Sequence, residues 1–165
     1  YPRIAESSSG DGGRTWSHAR LNDLVSSRAE VFLTRVPSTG DLLCVWNQVS
    51  GDEIRRGFRR SRLSLAISTD DGVSWDNFKT LEVGGPTDRS VRIGPDDEIG
   101  LVRGDKDLGE LPPDMIYVSY PNVHFCGDEV VLLYDFGPQL DASADPPSWV
   151  RHRKIVIRPV SWLYE

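Results

Sequence analysis

Five arginines fall within eight residues of the stretch EIRRGFRRSRL: Arg55, Arg56, Arg59, Arg60 and Arg62. A guanidinium fork grips a carboxylate through two parallel N–H···O bonds, so such a run can build an anion pocket. The plain alternative is a solvated, charged loop, and composition does not separate the two. Other chemistry finds little support. His18, His124 and His152 are scattered without metal-ligand spacing. Neither a Gly-x-Ser-x-Gly elbow nor a phosphate-cradling glycine loop occurs. Cys44 and Cys126 lie in separate strand-like segments, and two free, buried thiols are expected over a disulfide. No metal and no cofactor are expected.

The bulk of the chain narrows the classes further. At 165 residues it is about one domain long, and 38% apolar with 27% charged residues is an ordinary globular composition. A formal charge of −6 argues against a nucleic-acid binder, which needs an electropositive face. The longest apolar runs, Val130–Tyr134 among them, are far too short to span a bilayer. The chain opens on Tyr1 without a charged-then-apolar leader, which reads as a processed or truncated piece and leaves export open.

The elements that must position the arginines are strands. Short segments rich in β-branched and aromatic residues, bounded by Gly, Pro, Asp and Ser, predict strands at Arg3–Ser7, Val31–Val36, Leu42–Gln48, Leu63–Ser68, Phe78–Glu82, Ile116–Phe125, Val130–Phe136 and Arg153–Arg158. The only helix signal is a weak one at Asn22–Glu30, short and uncapped. A repeat organises the strands. SSGDGGRTWS (Ser8–Ser17) returns as ISTDDGVSWD (Ile67–Asp76), both carrying Ser-x-Asp-x-Gly-x-(Thr/Ser)-Trp. Ser9 and Asp11, like Ser68 and Asp70, can bond their own backbone and fix a tight turn. Gly13 and Gly72 supply a conformation that other residues resist. Trp16 and Trp75 would fold back as apolar plugs between strands. The box is therefore read as architecture; as a calcium loop it would offer too few acidic ligands.

Self-similarity at this spacing marks a β-propeller or another repeat array. In an antiparallel four-stranded blade, connections alternate between the two ends. Both boxes and the turns PSTGD (Pro37–Asp41) and CGDE (Cys126–Glu129) then share one end. The arginine loop and YVSYPNV, the entry to the next strand, share the other, where function is expected. Tyr120 lies in that entry; the alternative for it is a rim aromatic packed on Pro121, while Tyr117 reads as an ordinary strand residue.

The repeated pattern resembles the Asp box of the sialidase (neuraminidase) superfamily. RVPSTGDLLCVWN, RSRLSLAISTDDGVSW, SYPNVHFCGDEVVLLYD and IRPVSWLYE are similar to segments of bacterial exo-α-sialidase-like proteins. The resemblance covers nearly the whole chain outside the loops Pro86–Pro113 and Gly137–Val150. It implies an all-β, six-bladed propeller of which about two and a half four-stranded blades are present: residues 1–28 the end of one blade, 29–83 a complete blade, 84–165 the last blade with long loops. Such a piece would expose strand edges, need the rest of the propeller to complete its fold, and self-associate or be poorly stable alone.

The resemblance also implies roles. Tyr120 matches the nucleophilic tyrosine, Arg60 an arginine of the substrate-carboxylate clamp, with Arg62 second and Arg59 third in order of match. Ser9, Asp11, Gly13, Trp16, Ser68, Asp70, Gly72 and Trp75 are the structural box residues. The family's glutamate, its acid/base aspartate and two further arginines are expected upstream of Tyr1, so these residues alone are not expected to catalyse. Glu6 and Glu30 are poor substitutes, Glu6 because its strand runs toward a box. The implied function is a retaining exo-α-sialidase-like hydrolase of terminal sialic acid or a related acidic sugar, with a sialylated or other acidic glycan as partner and a secreted or periplasmic location. The rival readings are a non-catalytic glycan- or protein-binding propeller, which Arg28 and Glu30 keep open, and a propeller hydrolase or lyase acting on another glycan.

Overall fold

The computed structural model describes residues 3–27, 29–50, 53, 60–84, 116–138 and 152–165. These form three antiparallel sheets. The first pairs β1 (Arg3–Glu6) with β2 (Arg20–Val25). The second is four-stranded, in the order β3 (Phe32–Arg35), β4 (Leu42–Trp46), β5 (Arg62–Ser68) and β6 (Asp76–Val83). The third runs β7 (Ile116–Cys126), β8 (Glu129–Pro138) and β9 (His152–Pro159), followed by a 3-10 turn at Val160–Tyr164.

All eight expected strands are present, and one strand was not expected. The segment around Asn22 is strand β2, not helix: it pairs with β1 through Ala5–Leu21 and Glu6–Arg20. Leu24 and Val25 are buried, Leu24 against Cys44, Trp46 and Ala66 of the second sheet, and tertiary packing overrides a weak local signal.

Alternation along the strands of the second sheet explains how the sheets stack. Leu43 and Val45 on β4, with Leu63, Leu65 and Ile67 on β5, face the third sheet and meet Val118, Val130 and Leu132. Their neighbours Cys44, Trp46 and Ala66 face the other way, onto Leu24 and Ile4 of the first sheet. Successive side chains of a strand point to opposite faces, so a strand buried on both reads as a continuous apolar run, as LLCVW does. The Trp46 indole N–H donates to the Val25 carbonyl at 2.8 Å, tying the first two sheets together. This all-β stack of antiparallel sheets is propeller-type.

The cysteines depart in part from expectation. Neither is in a disulfide, but only Cys44 is buried. Burial pushes its thiol far up. Cys126 is exposed because it opens the tight β7–β8 turn, where Gly127 takes a φ of 59°.

Candidate functional site

The two ends of β5 separate the boxes from the arginine segment. Ser68, at one end, is opposite Leu42; Ser64, toward the other, is opposite Trp46, next to Asn47. At the box end, Asp70 accepts from the Ser74 hydroxyl at 2.6 Å, the Ser74 amide at 2.8 Å and the Ser68 hydroxyl at 2.8 Å. Gly72, with a φ of 91°, turns its amide back onto the Ser68 oxygen at 2.8 Å. Asp11 repeats these bonds with Thr15 and Ser9, and Gly13 those of Gly72. Donors converging on an ionised carboxylate favour the charged form. Asp11 is accordingly lowered to about 2, chiefly by the Thr15 amide, and Asp70 to about 2, chiefly by the Ser74 hydroxyl.

Turns share this end as the strand count requires. Arg35 donates to the Gly40 carbonyl and to Asp71, joining PSTGD to the second box. Tyr164 bonds Thr39 and Asp41, and burial raises its phenol. The Val160 amide reaches the Asp128 carbonyl of CGDE. One box residue departs from expectation. Trp75 packs on the Trp46 cluster with Ile4 and Phe78, whereas Trp16 is 64% exposed. The Trp16 ring lies back on its own turn, its indole donating to the Gly13 carbonyl at 3.0 Å, but it plugs no inter-strand gap.

At the opposite end the second and third sheets are stitched by backbone. The Val118 amide donates to the Arg60 carbonyl at 2.8 Å, Gly84 bridges Ser61 and Ile116, and the Asn47 side-chain amide donates to both the Arg62 and Val118 carbonyls at 2.8 and 2.7 Å. Into this seam projects Tyr120. The β7–β8 register slips between Ser119, paired with Asp135, and Asn122, paired with Leu133, so Tyr120 and Pro121 together oppose Tyr134. Pro121 lacks an amide hydrogen, which suits a bulge. Tyr120 takes a φ of 55°, left-handed and far from the extended backbone that a residue before proline favours. The bulge re-aims its side chain.

The structure brings Arg60 and Tyr120 together. Arg60 Nη1 donates to the Tyr120 hydroxyl at 3.2 Å, and its guanidinium carbon lies 5.4 Å from the ring centroid. Arg62 differs from its expected place at the substrate. Its side chain is 0% exposed and forks onto Glu53, Nη2 to Oε1 at 2.6 Å and Nη1 to Oε2 at 3.1 Å. Strand alternation and the seam turn it into the protein, where a carboxylate meets its charge. Arg59 lies outside the described residues, as do Arg28, Arg55 and Arg56. Glu6 binds Arg20 and Asn22 at the box end of β1, and Glu30 is exposed.

Reading the arginines alone missed Glu53. A signal for it was present. Ser50 and Glu53 have the S-x-x-E spacing of a capping box and make its reciprocal bonds, the Ser50 amide to Oε2 at 2.8 Å and the Glu53 amide to the Ser50 hydroxyl at 3.1 Å. A second, partly buried cluster joins the second and third sheets: Tyr134 donates to Glu82, which also pairs with the exposed Lys154, and burial with the Glu82 charge holds the phenol well above its usual range. Among the described residues no group of three or more His, Cys, Asp or Glu side chains is placed to hold a metal, and no helix is long and apolar enough to cross a membrane.

Known proteins share this architecture. The chain is similar to a Penicillium chrysogenum α-L-arabinanase complexed with arabinobiose, at 17% identity and a TM-score of 0.54 over 94% of this chain and 37% of that one. It is also similar to the GH93 α-L-arabinofuranosidase of Fusarium graminearum with arabinobiose, at 19% identity and a TM-score of 0.50 over 80% of this chain and 32% of that one. The chain thus spans about a third of the length of these solved structures. No curated protein matches it. The BNR repeat-like domain matches residues 2–132, both boxes and the Arg60–Tyr120 seam included, and the chain belongs to that family.

Proposed function

We propose that the parent protein is a retaining glycoside hydrolase of the exo-α-sialidase type, acting on terminal sialic acid or a related acidic sugar, with Tyr120 as nucleophile and Arg60 as a carboxylate ligand. One observation carries the reading: a guanidinium 3.2 Å from the oxygen of a tyrosine held at positive φ on a bulge. Unusual backbone of this kind costs about 1–3 kcal/mol and gathers at functional sites.

The chemistry favours a phenol where the sugar bears its own carboxylate. A carboxylate nucleophile would meet like charge at that anomeric carbon, whereas a phenol approaches neutral; sialidases are an exception to the two-carboxylate scheme for this reason. With an ordinary pKa of about 10 the phenol needs a base to take its proton. The Tyr120 oxygen bonds to the anomeric carbon as the bond to the aglycone oxygen breaks. The phenolic proton passes to the base, and an acid protonates the leaving oxygen. Water, giving a proton to the group that served as acid, then displaces Tyr120 from the same carbon, and the phenolate regains its proton from the base. In this reading the base and the acid come from other parts of the parent protein, and Arg60 holds the substrate carboxylate so that the anomeric carbon faces the reacting oxygen. The buried Arg62 supports the site from within, and Arg59 stays a third choice.

A second reading has its own observation. The similar solved structures are arabinose-active enzymes in complex with arabinobiose, a neutral sugar for which Arg60 would donate to hydroxyls. The two separate on the full-length protein given a fluorogenic α-sialoside or arabinobiose. Release from the sialoside, abolished by Tyr120→Phe and with KM raised at least about tenfold by Arg60→Ala, supports the first. Cleavage of arabinobiose alone supports the second, and binding of free sugar without release supports a non-catalytic propeller.

A further inference from the structure

Glu53 is spent on neither box, turn nor sheet pairing, and its carboxylate is almost wholly buried at 10% exposure. Each of its oxygens receives a guanidinium N–H of Arg62, and Oε2 also receives the Ser50 amide. Ser50 lies before the arginine run and Arg62 at the start of β5, so one carboxylate fastens both ends of the segment that carries the arginines. Arg60 sits two residues before Arg62, and its carbonyl is already held by Val118. Its backbone therefore stands between two fixed points, the Val118 amide and the Glu53–Arg62 fork. Only Ser61, whose carbonyl accepts from the Gly84 amide, separates Arg60 from Arg62, so a shift of Arg62 is carried along a short, tethered backbone to Arg60.

We infer that Glu53 is a positioning residue for the Arg60–Tyr120 pair: by locking Arg62 and Ser50 it holds the Arg60 guanidinium against the Tyr120 hydroxyl. The inference rests on the Arg60–Tyr120 reading of the site for its importance, but the contact it concerns can be measured without a sugar. A bidentate, buried fork has little rotational freedom and transmits its geometry to the strand that bears it. A purely stabilising role would instead lower the melting temperature and leave the pair alone.

The test uses the full-length parent protein, labelled with nitrogen-15, in which the signal of the Arg60 Nη1 proton that meets Tyr120 is assigned by its loss in Arg60→Lys. In Glu53→Gln, with the amide spectrum of the three sheets retained, exchange of that proton with water should rise about tenfold as the pair opens locally. Glu53→Asp, which restores the charge, should recover part of the protection. If Glu53→Gln does not fold, the double variant Glu53→Met with Arg62→Met replaces the buried pair by apolar volume, and the same increase is expected there. An Arg60 signal that exchanges as in the wild type in either folded variant overturns the inference, whatever happens to the melting temperature. Sialoside turnover reports separately: its absence, with the Arg60 signal responding as expected, sinks the proposed activity and leaves the positioning role standing.

Discussion

At the box end of the second sheet, Asp70 and Ser68 collect their partners from residues no more than four positions away. At the other end of the same strand, Arg60 reaches Tyr120 across 60 residues and Asn47 reaches Val118 across 71. One end is a local device that closes as soon as its own few residues are in place. The other exists only when two sheets have met. The repeated first box sharpens the contrast: its internal bonds match those of the second, yet Trp16 is exposed where Trp75 is packed. A turn is thus encoded locally, while what its tryptophan touches depends on the neighbouring sheet.

Variants at the two ends should behave accordingly. The largest loss is expected at the seam, where Arg62→Met strands the buried Glu53 charge and should cost about 3–5 kcal/mol in urea unfolding. Adding Glu53→Met should recover most of it; no recovery would mean the fork matters for more than its charges. Next is Gly84→Ala. A Cβ there would stand 2.0 Å from the Ile116 carbonyl oxygen, and forcing the sheets apart should cost about 1–3 kcal/mol by the same measurement.

At the box end, Trp75→Ala should cost about 2 kcal/mol, because a half-buried indole loses part of the penalty of a core tryptophan. Trp16→Ala, on the same turn in the first sheet, should stay within about 0.5 kcal/mol. Equal losses at the two tryptophans would break the comparison.

The smallest effect is a shared one with pH. Asp11 and Asp70 are depressed from an ordinary 3.8 to about 2 in the folded chain. The unfolded chain therefore binds protons first, and the stability these carboxylates contribute is fully present above about pH 4 and is lost as pH falls through about 2. Asp11→Asn and Asp70→Asn should each flatten that acid limb in a pH series of thermal melts. An unchanged limb in both would show that the boxes do not hold ionised carboxylates.

Legibility in the sequence follows the same division. The strands other than β2 and both turns of the boxes could be read because their signals are local: alternation, turn residues and an eight-residue repeat. Strand β2 could not, since Arg20–Val25 carries a weak pattern of its own and is a strand by virtue of its partner β1. The rim was legible only as a place. Counting strands put the arginine segment and Tyr120 at one end, but which arginine meets the phenol depended on where β5 begins. Glu53 was legible through its spacing from Ser50 and was overlooked because the arginines around it outnumber it.

By itself the sequence determined an all-β chain of repeated antiparallel sheets, the tight geometry of both Asp boxes and the end of the sheets at which polar loops gather. Each rests on bonds and periodicities spanning a few residues. Only the tertiary structure decided that Arg60 and not Arg62 faces Tyr120, that Glu53 takes Arg62 out of solvent, and that Trp75 is covered while Trp16 is not. Those outcomes turn on which faces of separate sheets are pressed together, and burial is a property of the assembled surfaces, absent from any one segment of the chain.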